Sequence, residues 1–113
     1  MKKINSKLKG KIGELEWVNF CKFHGLKNRR TAQFCGKSGD AADCIGLDFL
    51  HQEVKRVEKL DISKAYKQAK NDSKEGLVPI VAHRKNREEW KVTLLAEDFF
   101  KMYKAFLVKQ NEF

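Results

Sequence analysis

The chain has 113 residues, 42% of them hydrophobic and 35% charged, with a formal net charge of +9. That length suits one domain, 1–113, with a single core, and the apolar content excludes a disordered basic tail. No apolar run approaches the ~20 residues that span a bilayer, and the basic start is followed by no signal-peptide-like stretch, so a soluble cytoplasmic domain with no membrane partner is expected.

Residues 6–25 read as an amphipathic helix, with Leu8, Ile12, Leu15, Val18 and Cys21 at three- and four-residue spacing as its core stripe. Gly25 is a plausible stop. Residues 27–40, rich in Arg, Gly and Ser, read as strand plus loop ending in Gly39-Asp40. Segments 42–46 and 49–57 are short strands flanking Gly46-Leu47-Asp48, a hairpin. Asp61 caps a helix of about fifteen residues, which Gly76 ends. Residues 77–83 form an apolar run of the kind found in a strand covered on both faces, with Pro79 placed near its start. Segment 89–95 alternates like a further strand. Residues 96–109 read as a helix with Phe99, Met102, Tyr103, Phe106 and Leu107 on one side. Packing on the sheet is the expected use of that side, a dimer surface the alternative. The order α-β-β-β-α-β-β-α describes an α/β (α+β) fold, a mixed sheet with helices packed on it.

The charge is unevenly placed. Residues 1–30 carry a net +7, residues 31–60 a net −1 and residues 61–113 a net +3. A basic surplus points to a polyanion, nucleic acid first and an anionic membrane surface second. A plain phosphate-binding surface would not put carboxylates at its centre, whereas a metal site that cuts phosphodiesters would. Cys21, Cys35 and Cys44 lack C-x-x-C pairing and read as small buried hydrophobes; a zinc site from His24, Cys35 and Cys44 is a remote alternative. His51 and His83 read as pairing or phosphate-contacting residues rather than general bases.

If the hairpin turns about residue 48, cross-strand partners sum to about 96, which sets Asp43 opposite Glu53. Facing carboxylates repel, and a divalent cation between them removes the conflict, because oxygen donors suit Mg²⁺. Glu53 and Lys55 share a strand face, roughly 6–7 Å apart, while Val54 points into the core. Metal, carboxylates and lysine together suit phosphodiester hydrolysis. Glu14 stands beside Leu15 in the first helix, near Gly10 and Gly13, which allow close backbone approach, and near Lys9 and Lys11. Arg29 and Arg30 precede the acidic hairpin, Arg56 follows Lys55, and Arg84 and Arg87 cluster after the apolar strand as further phosphate contacts.

The set Glu14, Asp43 and Glu53-Val54-Lys55 resembles the PD-(D/E)XK nuclease superfamily, and within it the archaeal and phage Holliday-junction resolvases. The resemblance covers roughly residues 9–95. It implies a restriction-endonuclease-like core, metal ligands at Asp43, Glu53 and Glu14, catalytic roles for Glu14, Asp43, Glu53 and Lys55, and Gln68 as a glutamine near the site. It also implies Mg²⁺ or Mn²⁺ as cofactor, branched DNA as substrate, a homodimer, and a phage or prokaryotic setting. The Pro of the family's name is replaced by Ala42, and Asp40 rivals Asp43 as the first acid. A restriction- or repair-type nuclease on linear duplex and a non-catalytic nucleic-acid-binding domain are the alternatives.

Overall fold

The computed structural model describes residues 6–31 and 42–112. Asp40, Cys35 and most of the expected loop before residue 42 lie outside the described residues. Three helices and five strands follow one another as α1 (Ser6–Phe23), β1 (Arg29–Arg30), β2 (Cys44–Ile45), β3 (Leu50–Arg56), α2 (Ile62–Asp72), β4 (Val78–Arg84), β5 (Lys91–Thr93) and α3 (Ala96–Gln110). The element order is the expected one. The strands form one mixed sheet in the order β1-β2-β3-β4-β5, antiparallel throughout except for the parallel pair β3–β4.

Local chemistry sets the ends of these elements. The Asp61 carboxylate accepts the Lys64 N–H at 3.1 Å and so caps α2. That helix stops at Asp72, short of the expected Gly76, because Ser73 already takes an extended backbone; Gly76 then supplies the left-handed turn, φ +89°, that leads into β4. Pro79 is the second residue of β4, near the start as expected.

The parallel pair forms the centre and is covered on both sides. Val54 and Ala82, partners in the β3–β4 register, pack with Trp17, Val18 and Cys21 of α1. Val81, one residue along β4, points the other way and packs with Ala65 and Ala69 of α2. Its register partner is Glu53. Alternation along β3 therefore turns Gln52 and Val54 to α1, and Glu53 and Lys55 to the α2 side.

Two expectations about helices change. The buried stripe of α1 is Gly13, Glu14, Trp17, Val18 and Cys21, while Leu8, Ile12 and Leu15 are exposed. The helix is rotated because Gly13 lies on β3, where a Cβ would come within 2.7 Å of Arg56 Cβ, and that contact carries Glu14 inward. The apolar side of α3 does not lie on the sheet, since none of that helix's residues is buried.

Candidate active site

The site starts from the β2–β3 hairpin. Cys44 pairs with Gln52, the register in which partners sum to 96, so Asp43 stands opposite Glu53 as the sequence predicts. Two bonds fix Asp43 there. Its N–H donates to the Gln52 carbonyl at 2.8 Å, and its Oδ2 accepts the Val54 N–H at 2.7 Å. Glu53 is 1% exposed, and His51, on the same strand face, places Nε2 3.2 Å from Glu53 Oε1.

Burial and crowding show in the acidity of Asp43. Loss of solvent, followed by the nearby Glu53 and Glu14 carboxylates, pushes it up to about 7, against the stabilising Val54 N–H. Asp43 and Glu53 are within hydrogen-bonding reach of each other. Cys44, next along the chain, is likewise buried, and burial pushes its thiol well up, as expected of a small inert hydrophobe.

Glu14 enters from α1 and is 8% exposed. Its Oε1 accepts Arg30 Nε at 2.7 Å, from β1. Arg30, expected to touch phosphate, is therefore an ion-pair partner at the rim of the acidic group in this state. Glu14, Asp43 and Glu53 thus come from a helix and two strands to one place, with Lys55 half-buried on the Glu53 face. Gln68 is exposed on α2, next to the buried Ala69, on the helix that covers this face.

The remaining basic residues separate into groups. Lys9 and Lys11 are exposed on the first half of α1, Arg29 is exposed on β1, and Arg87 is exposed with φ +61°. Arg56 lies on the α1 face, opposite to Lys55, with Nε 3.1 Å from Glu16 Oε1 and Nη2 2.8 Å from Asn86 Oδ1. Arg84 also bonds Glu16, so one carboxylate ties the ends of β3 and β4 to α1. His83 Nε2 is 2.9 Å from Thr93 Oγ1, a pairing role across β4 and β5.

Sequence reasoning missed two features. His51 is a buried neighbour of Glu53; its position two residues before Glu53 on a strand was the available signal. A buried polar cluster behind the site also escaped it. Gln52 and Asn28 exchange amide bonds of 2.9 Å in both directions, and Trp17 Nε1 donates to Gln52 Oε1 at 2.8 Å.

Protein-family models, curated proteins and solved structures give no match to this chain. The functional reading therefore rests on the side chains themselves. Among the described residues no three His, Cys, Asp or Glu side chains form a ready-made metal cage. The donor chemistry nonetheless fits a hard divalent cation. Asp43 and Glu53 offer crowded carboxylate oxygens whose mutual repulsion a cation relieves, and Glu14 is close enough to act on Asp43. These three are the residues that would hold Mg²⁺ or Mn²⁺.

Proposed function

We propose that this protein is a metal-dependent endonuclease of the restriction-endonuclease-like kind, hydrolysing phosphodiester bonds in branched DNA as a phage-type Holliday-junction resolvase does. One observation carries the reading: Asp43 stands opposite Glu53 across the hairpin, with Lys55 on the same face as Glu53. A sheet gains nothing from facing buried carboxylates, so their placement asks for a ligand of opposite charge.

Each residue then has a task. Asp43 and Glu53, aided by Glu14, hold the cation, which neutralises charge on the scissile phosphate and acidifies a bound water. Lys55 orients the attacking water or stabilises the charge that develops on the phosphate. The Val54 N–H keeps the Asp43 carboxylate turned to the site, and His51 does the same for Glu53. Arg30 neutralises Glu14 and lies where a phosphate oxygen would arrive. Lys9, Lys11, Arg29 and Arg87 are exposed and suited to hold the backbone of a duplex without reading its sequence.

Incubation with a synthetic four-way junction and a matched linear duplex, with Mg²⁺ or chelator, tests this. Paired nicks in the junction alone, with metal only, are the expected result. Glu53→Gln and Lys55→Ala each lower the rate by at least about 100-fold while junction binding persists. Cleavage by both variants at the wild-type rate would remove the site from the reaction. Equal cutting of both substrates would make the enzyme a general nuclease. Binding without cutting would leave a nucleic-acid-binding domain.

A further inference from the structure

We propose that α3 is the docking surface for a second copy of this chain, the two helices lying antiparallel about a two-fold axis. Phe99, Met102, Tyr103, Phe106 and Leu107 recur at helical spacing and, with Phe100, fill an arc of roughly 160° at 100° per residue. Their exposures run from 41% for Met102 and Leu107 to 56% for Phe106. The rings of Phe99 and Tyr103 already stack, 6.2 Å apart and 8° from parallel, giving a flat ready-made surface. Large side chains of ~150–250 Å² each, about half exposed, leave several hundred Å² of apolar surface. That exceeds what monomers ordinarily leave bare and approaches the ~800 Å² per partner of a standard interface.

The charges choose the occupant and its direction. Asp98 and Lys109 lie on one edge of the stripe, eleven residues or about three turns apart, one in the first turn and one in the last. A two-fold axis perpendicular to an antiparallel helix pair sets each edge against the same edge of the other copy. Centred between Tyr103 and Lys104, it brings Asp98 of each chain to Lys109 of the other, twice. Parallel pairing does not, since it puts like ends together. Within its own chain Lys109 has Glu112 3.5 Å away and Asp98 acts on Tyr66, so both are already held near the helix edge. Self-pairing stands whether or not the chain cleaves DNA.

Sedimentation velocity of the full chain from about 1 to about 100 μM, where a modest standard-size interface dissociates, is expected to show a monomer–dimer equilibrium. Phe106→Asp, which touches no buried core residue, is expected to weaken it at least about 30-fold with an unchanged far-ultraviolet spectrum. Asp98→Lys is expected to weaken it about 2- to 30-fold through two exposed pairs. Asp98→Lys with Lys109→Asp together is expected to restore it. A chain that stays monomeric overturns self-pairing, and flotation with anionic vesicles would then give the face to a membrane surface. A dimer that Phe106→Asp leaves intact, or that the double exchange fails to rescue, overturns the antiparallel α3 interface.

Discussion

The Asp43 side chain accepts the Val54 N–H at 2.7 Å, just outside the two-residue strand β2. That bond lets a carboxylate stand against Glu53 in a buried place. It anchors Asp43 without cancelling the repulsion, because Asp43 still sits near 7. Four consequences can be measured.

Asp43→Asn should stabilise the metal-free protein at pH 8 and do little at pH 4. The folded-state value of about 7 lies above the ~3.9 of an unfolded Asp. Between these values the folded chain binds the extra proton. The group's favourable contribution is therefore complete below about pH 4 and is lost as pH rises through about 7. Asparagine retains an acceptor for the Val54 N–H and carries no charge. A gain on the order of 2 kcal/mol at pH 8 is expected from urea unfolding, with a flatter pH profile between 4 and 7. Equal effects at both pH values would contradict the assigned crowding.

Mg²⁺ or Mn²⁺ should raise the melting temperature at pH 8 far more than at pH 5, since a protonated Asp43 is a poor ligand. Differential scanning fluorimetry reads this directly, and Asp43→Asn or Glu53→Gln should abolish the shift. Ca²⁺ serves as a second oxygen-seeking probe. No shift with any of the three ions would remove the cation from these carboxylates.

The hairpin was legible because it is local: Gly46 and the alternation on either side allow few registers, and Asp43 against Glu53 follows from one sum. Helix rotation was not legible. Periodicity placed Leu8, Ile12 and Leu15 inward, whereas the close approach of Gly13 to Arg56, forty-odd residues away in sequence, turned Glu14 inward instead. The same limit hid Arg30, whose Glu14 partner lies on another element, and Gln52 with Asn28, whose polarity suggested exposure. The α3 stripe was visible as apolar, but periodicity does not say what covers a face.

Gly13→Ala and Gly10→Ala should have opposite signs. Both glycines lie within α1, where alanine ordinarily gains about 0.5–1 kcal/mol. A Cβ at position 10 meets nothing within 4 Å, so that gain is expected in full. At position 13 it meets Arg56 Cβ at 2.7 Å, and α1 must lift from β3. Overpacking of this kind costs about 1–3 kcal/mol, and it also draws Glu14 away from Asp43. Chemical denaturation of the two variants side by side decides it: stabilisation by both would mean that α1 packs less closely than the structure has it.

Asn28→Ala should be among the most damaging single truncations away from the acidic group. Asn28 is 4% exposed and Gln52 is fully buried, and their amides satisfy each other in both directions while Trp17 adds a third bond. Removing Asn28 leaves the Gln52 Nε2 donor without its partner in a place water does not reach. An unmet buried donor costs about 1–3 kcal/mol, and lost contacts add to that. Because Gln52 immediately precedes Glu53, the loss should also lower the affinity for the cation. A double-mutant cycle between Asn28→Ala and Gln52→Ala should give a coupling of about 0.5–3 kcal/mol, since the second truncation removes the orphaned group that the first creates. Additivity within about 0.5 kcal/mol would mean that the two amides act separately, and that the cluster behind the hairpin does not hold Glu53 in place.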